Sequence, residues 1–454
     1  MPARSAALAL ALGGLAAAGA LACSEGRRVD LDAFCQERPG DADCQARGGA
    51  AGGAGAGGAP PQGGAGAAGG GPLACALPSV ACGGACADVE NDARNCGECG
   101  YACGAGSSCA RGACSALALA ANLSAPFALA ADATHLYFVI PTKTNQGALP
   151  HPVHRLPRGG GVPAPVFGVG YFVRARALAL REGTLYFADL AGDGTILSGP
   201  ADGSAAEPAG YVPLTQPVVQ GIVAAESRLW WATFDGSSRV RHAPVDPLPA
   251  VADLTPESPH AGEVTSLAVE GNGANAYAYW VNRGNSATQQ HNGLWRRSAA
   301  PGASGPERLV VGGAMFDLAL GDDAVYVADA AAGIGRAQKA TPFQTFSAVL
   351  GPSELGGTLL GLAFAAGKLY WVALDGGQLV VRRSARDGSN ARTLGRAPAK
   401  SEAYWSNPFG PARLLIDGGY VYFSDPGTFD GDTRAPNLDG VVSRGDGAIY
   451  RLPQ

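Results

Sequence analysis

The stretch KLYWVA, residues 368–373, places Leu369, Tyr370 and Trp371 side by side, and six similar stretches recur along the chain. They are HLYFVI (135–140), TLYFAD (184–189), RLWWAT (228–233), YAYWVN (277–282), AVYVAD (324–329) and YVYFSD (420–425). A strand with one wet face alternates apolar and polar residues, so a strand that is apolar at successive positions has both faces buried. These stretches therefore predict strands that lie between two neighbouring layers of protein.

The spacing of the copies identifies the fold class. Their aromatic positions are Tyr137, Tyr186, Trp230, Tyr279, Tyr326, Tyr370 and Tyr422, which are 49, 44, 49, 47, 44 and 52 residues apart. A period of about 40 to 50 residues is typical of one four-stranded propeller blade. Each copy also has an apolar strand before the aromatic one and a further strand after it. The prediction is an all-β, seven-bladed β-propeller over residues 115–454.

The last copy stops at its third strand, GAIYRLPQ (447–454), so one strand of that blade is missing at the C-terminus. The apolar run SALALAANL (115–123) precedes the first copy and can supply it. Such a pairing removes the open sheet edges on which chains aggregate. We therefore predict that strand 115–123 closes the ring.

The aromatic strands resemble the YWTD repeats of low-density-lipoprotein-receptor propellers and, more distantly, bacterial streptogramin-lyase and NHL-type propellers. In those families the carboxylate at the strand end mainly bonds backbone between blades. The resemblance implies this role for Asp189, Asp329 and Asp425. Because YWTD propellers usually have six blades and this chain counts seven copies, the receptor-type interface is not implied.

All eleven cysteines lie in the first quarter of the chain, and an odd number in an exported protein leaves one to explain. With Cys23 set apart, the predicted disulfide cysteines are Cys35, Cys44, Cys75, Cys82, Cys86, Cys96, Cys99, Cys103, Cys109 and Cys114. Small exported modules that lack an apolar core are held by disulfides. A zinc site or a redox pair at Cys96-x2-Cys99 are the alternatives, but neither a second knuckle nor a βαβ pattern accompanies it. The prediction is a Cys35/Cys44 pair and four disulfides in residues 73–114, with connectivity left open.

The stretch CGGACADVENDARNCGECGYACGAGSSCARGAC (82–114) resembles the cysteine-rich repeat of plant stigma-specific proteins, which is also common in exported myxobacterial lipoproteins. The shared features are the NCGxCG box and the closing pair of cysteines, Cys109 and Cys114. This resemblance implies an extracellular adhesion or signalling module without catalytic residues.

The N-terminal region predicts export and anchoring. Residues 1–22 read as a signal peptide, and their end before Cys23 resembles the lipobox of bacterial lipoproteins, with Cys23 as the lipidated residue. Ordinary cleavage that leaves Cys23 as a thiol is the alternative. Residues 23–45 form an anchor segment, and 46–72 are a Gly/Ala/Pro-rich disordered linker. No later stretch has the ~20 apolar residues of a membrane span, so we expect an outer-membrane or cell-surface location through the lipid.

Loop length predicts where a ligand binds. Links between second and third strands are long at 141–154, 282–293 and 426–447, and an aromatic insert lies at 397–412. In a propeller these links share one face, and binding residues concentrate on loops of a rigid scaffold. The candidate binding residues are His151, His154, Arg283, Gln289, Tyr404, Trp405 and Phe409.

Metal and enzymatic signals are weaker than the loop signal. Asp430, Asp432 and Asp439 could ligate calcium, although glycine-flanked aspartates are also good turn residues. His151 and His154 lack a third identifiable ligand. No catalytic motif is found, and a net charge of −5 without a basic run argues against nucleic acid. We expect a monomeric, cofactor-free binding platform for a glycan, peptide or protein, with a periplasmic metal-dependent propeller lyase or lactonase as the alternative.

Overall fold

The structure is a computed structural model that describes the cysteine-rich region and most of the repeat region. The described residues are 74–77, 79–140, 143–144, 153–168, 175–189, 195–212, 219–225, 227–233, 239–245, 251–254, 263–283, 292–340, 342–400, 414–430 and 442–454. Two single-turn 3₁₀ helices, Gly273–Asn275 and Pro352–Glu354, lie in these ranges. Within the same ranges, no helix has the length and apolar character that a membrane crossing requires.

Seven antiparallel blades follow one another along the chain, one for each copy of the aromatic repeat. Blade 1 consists of β6 (Phe127–Ala131), β7 (His135–Val139), β9 (Val153–Pro157) and β10 (Ala164–Pro165). Blade 2 consists of β11 (Ala175–Arg181), β12 (Thr184–Asp189), β13 (Ile196–Pro200) and β14 (Ala209–Val212). Blade 3 consists of β15 (Val219–Ala225), β16 (Arg228–Thr233), β17 (Arg239–Pro244) and β18 (Ala252–Asp253). Blade 4 consists of β19 (Glu263–Glu270), β20 (Tyr277–Arg283), β21 (Gly293–Ser298) and β22 (Glu307–Val311). Blade 5 consists of β23 (Met315–Leu320), β24 (Ala324–Asp329), β25 (Gly333–Gln338) and β26 (Ser347–Leu350). Blade 6 consists of β27 (Thr358–Ala365), β28 (Lys368–Asp375), β29 (Gln378–Ala385) and β30 (Arg392–Pro398). Blade 7 consists of β31 (Leu415–Asp417), β32 (Tyr420–Asp425), β35 (Gly447–Pro453) and β5 (Leu117–Leu123). The predicted all-β, seven-bladed propeller is confirmed.

The second strand of each blade carries the aromatic residues and is buried on both faces. In blade 6, Tyr370 is 1% exposed and Trp371 is 0% exposed. Trp371 lies opposite Leu362 on the first strand and Arg382 on the third strand. Burial of one such side chain contributes about 1.5 to 3 kcal/mol. Because the repeat supplies these residues in every blade, packing between blades holds the ring together.

Blade 7 joins the strand before the first repeat, β5, to the strands that follow the sixth blade. Strand β5 pairs antiparallel with the C-terminal strand β35, and Ala118 lies opposite Tyr450. The sequence placed the closing strand at residues 115–123, and the structure has it at Leu117–Leu123. Three strands from the end of the chain and one from before the first repeat therefore complete this blade.

The strand links define two faces of the propeller. Links between first and second strands are tight: in blade 6, Ala366 and Gly367 have φ values of 49° and 71°, as a two-residue type I′ turn requires. These turns and the links between third and fourth strands emerge on what we call the turn face. Links between second and third strands, and those between blades, emerge on what we call the loop face. The long links that follow β7, β20 and β32 therefore start from the loop face.

The cysteine-rich module, residues 74–116, contains two small hairpins and four disulfides. The hairpins are β1 (Val80–Cys82) with β2 (Ala85–Ala87), and β3 (Cys109–Ala110) with β4 (Ala113–Ser115). The disulfides are Cys75–Cys86, Cys82–Cys99, Cys96–Cys109 and Cys103–Cys114. The prediction of four disulfides here is confirmed, and the structure supplies their connectivity. Cys35 and Cys44 lie outside the described residues.

The module shares a sheet with the propeller. Strand β4 pairs in parallel with β30, the outer strand of blade 6, so that Cys114 lies opposite Gly395. The amide of Ala116 donates to the Arg396 carbonyl at 2.8 Å. A side chain at Gly395 would place its Cβ 2.6 Å from the Cys114 carbonyl oxygen, so only glycine allows this approach. One continuous segment thus binds the outer edge of blade 6 and then completes blade 7.

Side chains extend this contact between module and propeller. The Tyr101 hydroxyl donates to the Pro453 carbonyl at 3.1 Å, and the Arg392 guanidinium lies 4.5 Å from the centre of the Tyr101 ring. Glu98 pairs with Arg392 at 2.5 Å and with Arg383 at 3.1 Å. Half-cystines of the module lie in one apolar cluster with propeller residues such as Leu394 and Leu452. The module and propeller therefore share a hydrophobic core.

Candidate functional site

The long links of blades 7 and 1 meet on the loop face, above the closure of the ring. In the blade 7 link, β33 (Phe429–Asp430) and β34 (Val442–Ser443) form an antiparallel pair. Strand β8 (Lys143–Thr144), from the blade 1 link, adds to β34 in parallel, with Val442 opposite Lys143. The result is a three-stranded sheet that belongs to neither blade. We call this sheet, together with Asp425 and Asp446 at the two ends of the blade 7 link, the seam site.

Asp425 lies at the end of β32, where the blade 7 link begins. Its side chain is 0% exposed. One carboxylate oxygen accepts the Gly427 amide at 3.0 Å, and the other accepts the Lys400 amide at 2.9 Å. Burial raises the pKa of Asp425, and the nearby Asp446 carboxylate raises it further. Lys400 follows the outer strand of blade 6 and lies in the first part of the aromatic insert (397–412), so Asp425 fixes this part of the insert to blade 7.

Asp446 ties together the two ends of the blade 7 link. Its oxygens accept the Thr428 amide at 2.7 Å and the Thr428 hydroxyl at 2.8 Å. In return, the Arg444 amide donates to the Thr428 carbonyl at 3.0 Å. Gly427, with a φ of 81°, lies where a Cβ would meet the Asp446 carboxylate. These hydrogen bonds therefore join the two ends of the link, at Thr428 on one side and at Arg444 and Asp446 on the other.

Of the three aspartates considered as calcium ligands, Asp430 is described, whereas Asp432 and Asp439 lie outside the described residues. Asp430 pairs with Arg444 at 2.6 Å, and both side chains are more than half exposed (59% and 60%). The hydrogen bond from Arg444 lowers the pKa of Asp430. The described carboxylate thus has an arginine partner, and calcium binding here stays a prediction.

The structure describes two of the seven predicted binding residues, His154 and Arg283. His154 lies in strand β9 and not in the preceding loop, which corrects its placement by the sequence, and its ring stacks on Phe138 at 5.3 Å. The reason is its register: His154 lies opposite Phe138 within the blade. Arg283 ends β20 with an exposed side chain at the start of the blade 4 link. His151, Gln289, Tyr404, Trp405 and Phe409 lie outside the described residues.

The strand-end aspartates differ in what they bind. Asp425 bonds backbone of a neighbouring blade, at Lys400, as the family resemblance implies. Asp329 instead accepts the amides of Ala331 and Ala332, both at 2.8 Å, within its own turn. The side chain of Asp189 is not among those that the structure describes.

Sequence reasoning missed Asp317, which lies on the first strand of blade 5 after a β-bulge. One oxygen accepts the Ser266 hydroxyl from blade 4 at 2.9 Å, and the other accepts the Leu362 amide from blade 6 at 2.9 Å. First strands line the central channel, so this carboxylate joins three successive blades there. A single acid in an otherwise apolar strand, MFDLAL, was the available signal.

Among the described residues, one cluster has side chains spaced for a metal, and it consists of Cys96, Cys103 and Cys114. All three sulfurs are in disulfides. A disulfide sulfur is not the thiolate that binds a metal. This cluster is therefore part of the covalent framework.

Comparisons with known proteins bear on the module and on the fold. The sequence profile of the Stigma-specific STIG1-like protein family matches residues 67–117. A search of curated proteins found no match. Similar solved structures include YCF48 bound to D1 peptide, with 12% identity and a TM-score of 0.46 over 75% of this chain and 94% of that chain. The PQQ-bound aldose sugar dehydrogenase of Streptomyces coelicolor has 15% identity and a TM-score of 0.40 over 74% of this chain and 96% of that chain. A chain of the nidogen/laminin complex has 14% identity and a TM-score of 0.39 over 58% of this chain and 93% of that chain. Likeness at these levels assigns no function to this chain.

Proposed function

We propose that this chain is a cell-envelope lipoprotein, anchored through Cys23, whose propeller is a non-catalytic binding platform for a glycan, peptide or protein. The observation that supports it is the seam site, where links of two blades pair into one sheet. Neither link is needed to build a blade, because other blades connect the same strands through a short link such as Asp375–Gln378. Loops held on a rigid scaffold are the usual location of binding.

Buried and part-buried hydrogen bonds at the ends of the blade 7 link support the same function. An ordered loop binds more tightly than a mobile one, because less conformational entropy is lost on binding. Asp425 and Asp446 accept four hydrogen bonds that fix the ends of the blade 7 link and part of the insert at Lys400. A fifth, from the Arg444 amide to the Thr428 carbonyl, joins the two ends of the link directly. The part of the insert that follows Lys400 carries Tyr404, Trp405 and Phe409, and aromatic residues dominate the binding energy of interfaces.

Trp405→Ala tests this function. We expect the variant to lose at least tenfold in affinity for an envelope glycan and cell-surface panel, with an unchanged melting temperature, because an interface tryptophan typically contributes about 2 kcal/mol or more. Tyr277→Ala is the matched control, since Tyr277 is a partly exposed aromatic residue at a turn-face strand end. A melting temperature several degrees lower for Trp405→Ala, with binding retained, would show that Trp405 is structural.

Cys23→Ser tests the anchor. We expect this variant to move from the membrane fraction to the soluble fraction, because the proposed lipid is attached to the cysteine sulfur. Cys35→Ser is the control, which should stay with membranes. Retention of Cys23→Ser in membranes at the wild-type level would assign anchoring to another element.

The non-catalytic part of the proposal is tested by metal content. The competing class, a metal-dependent lyase or lactonase, needs a divalent ion in the central channel. Elemental analysis of the purified propeller and its melting temperature with added Ca²⁺ or Mg²⁺ separate the two. A stoichiometric ion whose removal lowers the melting temperature would contradict the proposal.

A further inference from the structure

The link between β25 and β26, on the turn face of blade 5, displays a phenylalanine in an unfavourable state. Phe343 is 75% exposed and has a φ of 56°. The left-handed region costs a non-glycine residue roughly 1 to 2 kcal/mol, and an exposed ring gains little from burial. Strained residues of this kind persist where the surrounding structure enforces them, often at binding sites. Folding alone gives no reason for an aromatic residue at this position.

The surrounding structure holds this link firmly. The Phe343 amide donates to the Arg308 carbonyl at 2.9 Å, and the Gln344 amide donates to the Leu309 carbonyl at 2.7 Å, both on the outer strand of blade 4. The Gln344 side chain accepts the Gln338 amide at 2.8 Å and donates to the Gln338 carbonyl at 2.7 Å. Phe343 is thus presented by a turn that is fixed to two blades.

A polar cleft begins at the residue next to Phe343. Its volume is about 340 Å³, and it is lined by Arg336, Gln338, Gln344, Thr345 and Ser347. Arg336 pairs with Asp323 at 2.6 Å, so its charge is compensated. The described residues that line the cleft therefore offer hydroxyls and side-chain amides, which donate and accept hydrogen bonds.

We propose that Phe343 and this cleft form a saccharide-binding site. A sugar ring has an apolar face of C–H groups that stacks on an aromatic ring, and hydroxyls at its rim that need both donors and acceptors. The exposed ring of Phe343 meets the first need, and the cleft meets the second. A peptide would instead require apolar pockets or a free strand edge, and the neighbouring outer strand of blade 4 already binds this link. The site lies on the turn face and is separate from the seam site.

Phe343→Gly is the decisive variant, because glycine removes the ring and also adopts a positive φ without strain. The probes are immobilised oligosaccharides of neutral hexoses, N-acetylhexosamines and uronic acids. We expect wild-type binding to at least one of them, a loss of tenfold or more in affinity for Phe343→Gly, and a melting temperature that is equal or higher. Phe343→Tyr should retain binding, and Ser347→Trp, which fills the cleft, should abolish it.

Three results would overturn the proposal. The first is that the wild type binds none of these probes. The second is that Phe343→Gly binds with unchanged affinity. The third is that binding is lost in Trp405→Ala but retained in both Phe343→Gly and Ser347→Trp. The last result would assign the saccharide to the seam site, so the two sites fail independently. Tyr277→Ala, on the same face in blade 4, is the control and should bind as the wild type does.

Discussion

Replacing Cys103 and Cys114 together by alanine should lower the free energy of unfolding of the whole propeller by about 3 to 5 kcal/mol, the upper part of the range for loss of a native disulfide. The reason is the position of this bond. Cys114 lies on β4, which pairs with the outer strand of blade 6, and Cys103 and Cys114 are 2% and 1% exposed in the core shared with the propeller. Loss of the bond therefore weakens the segment that leads into the closing strand.

The matched control is the Cys75→Ala, Cys86→Ala pair. Both disulfides join cysteines 11 residues apart, so the loop entropy removed from the unfolded chain is equal. The control bond lies in the half-buried to exposed part of the module, and we expect little change in the propeller. All six tryptophans lie beyond residue 200, so tryptophan fluorescence during urea unfolding reports the propeller alone. Equal midpoints for the two variants would show that the module does not stabilise the ring.

Asp425→Ala should be the second most damaging change, with a loss of about 2 to 4 kcal/mol in the free energy of unfolding, because it leaves the buried amide of Gly427 and the part-buried amide of Lys400 without an acceptor. Asp430→Ala is the control: its exposed pair with Arg444 should be worth less than about 1 kcal/mol. Trypsin gives a local readout. Cleavage after Lys400 should accelerate in Asp425→Ala and stay at the wild-type rate in Asp430→Ala, and equal rates in both would contradict the role of Asp425.

Asp425 also predicts a pH dependence. Burial raises its pKa above the ordinary value of 3.8, so the folded state binds this proton more tightly than the unfolded state. Its contribution to stability is therefore largest below about pH 3.8 and is lost as the pH rises through the raised pKa. Compared with the non-titrating Asp425→Asn, the wild type should gain stability as the pH falls from 7 towards 4. A constant difference in urea midpoint between pH 7 and pH 4 would show that the carboxyl is not perturbed.

The sequence predicted the blades because their signal is local. Consecutive large apolar residues such as Tyr370 and Trp371 require burial on both faces whichever strands surround them. The same local reading places His154 at the end of the long link 141–154. Its strand conformation follows from pairing with Phe138, which is a tertiary contact that the short pattern does not contain.

Residues that join distant parts of the chain escaped prediction for the same reason. The partners of Asp317 lie 51 and 45 positions away, at Ser266 and Leu362. Phe343 reads as an ordinary loop residue, because neither its positive φ nor its exposure follows from PFQTF. Of the seven predicted binding residues, His154 and Arg283 are described, and the seam site itself was defined by Asp425, Asp446 and the β34–β8 pair.

The closure of blade 7 has a consequence for the order of synthesis and folding. The Tyr101 hydroxyl binds the Pro453 carbonyl 352 positions later, and the closing strand β5 pairs with the C-terminal strand β35. Strand β5 is therefore synthesised long before its partner β35. Pairings over such separations form slowly, because closing a very long loop costs conformational entropy before any stabilising contact is made. A nascent chain in which β35 has not yet been made therefore exposes an unpaired apolar strand, Leu117–Leu123, and the ring can close only when β35 becomes available for pairing.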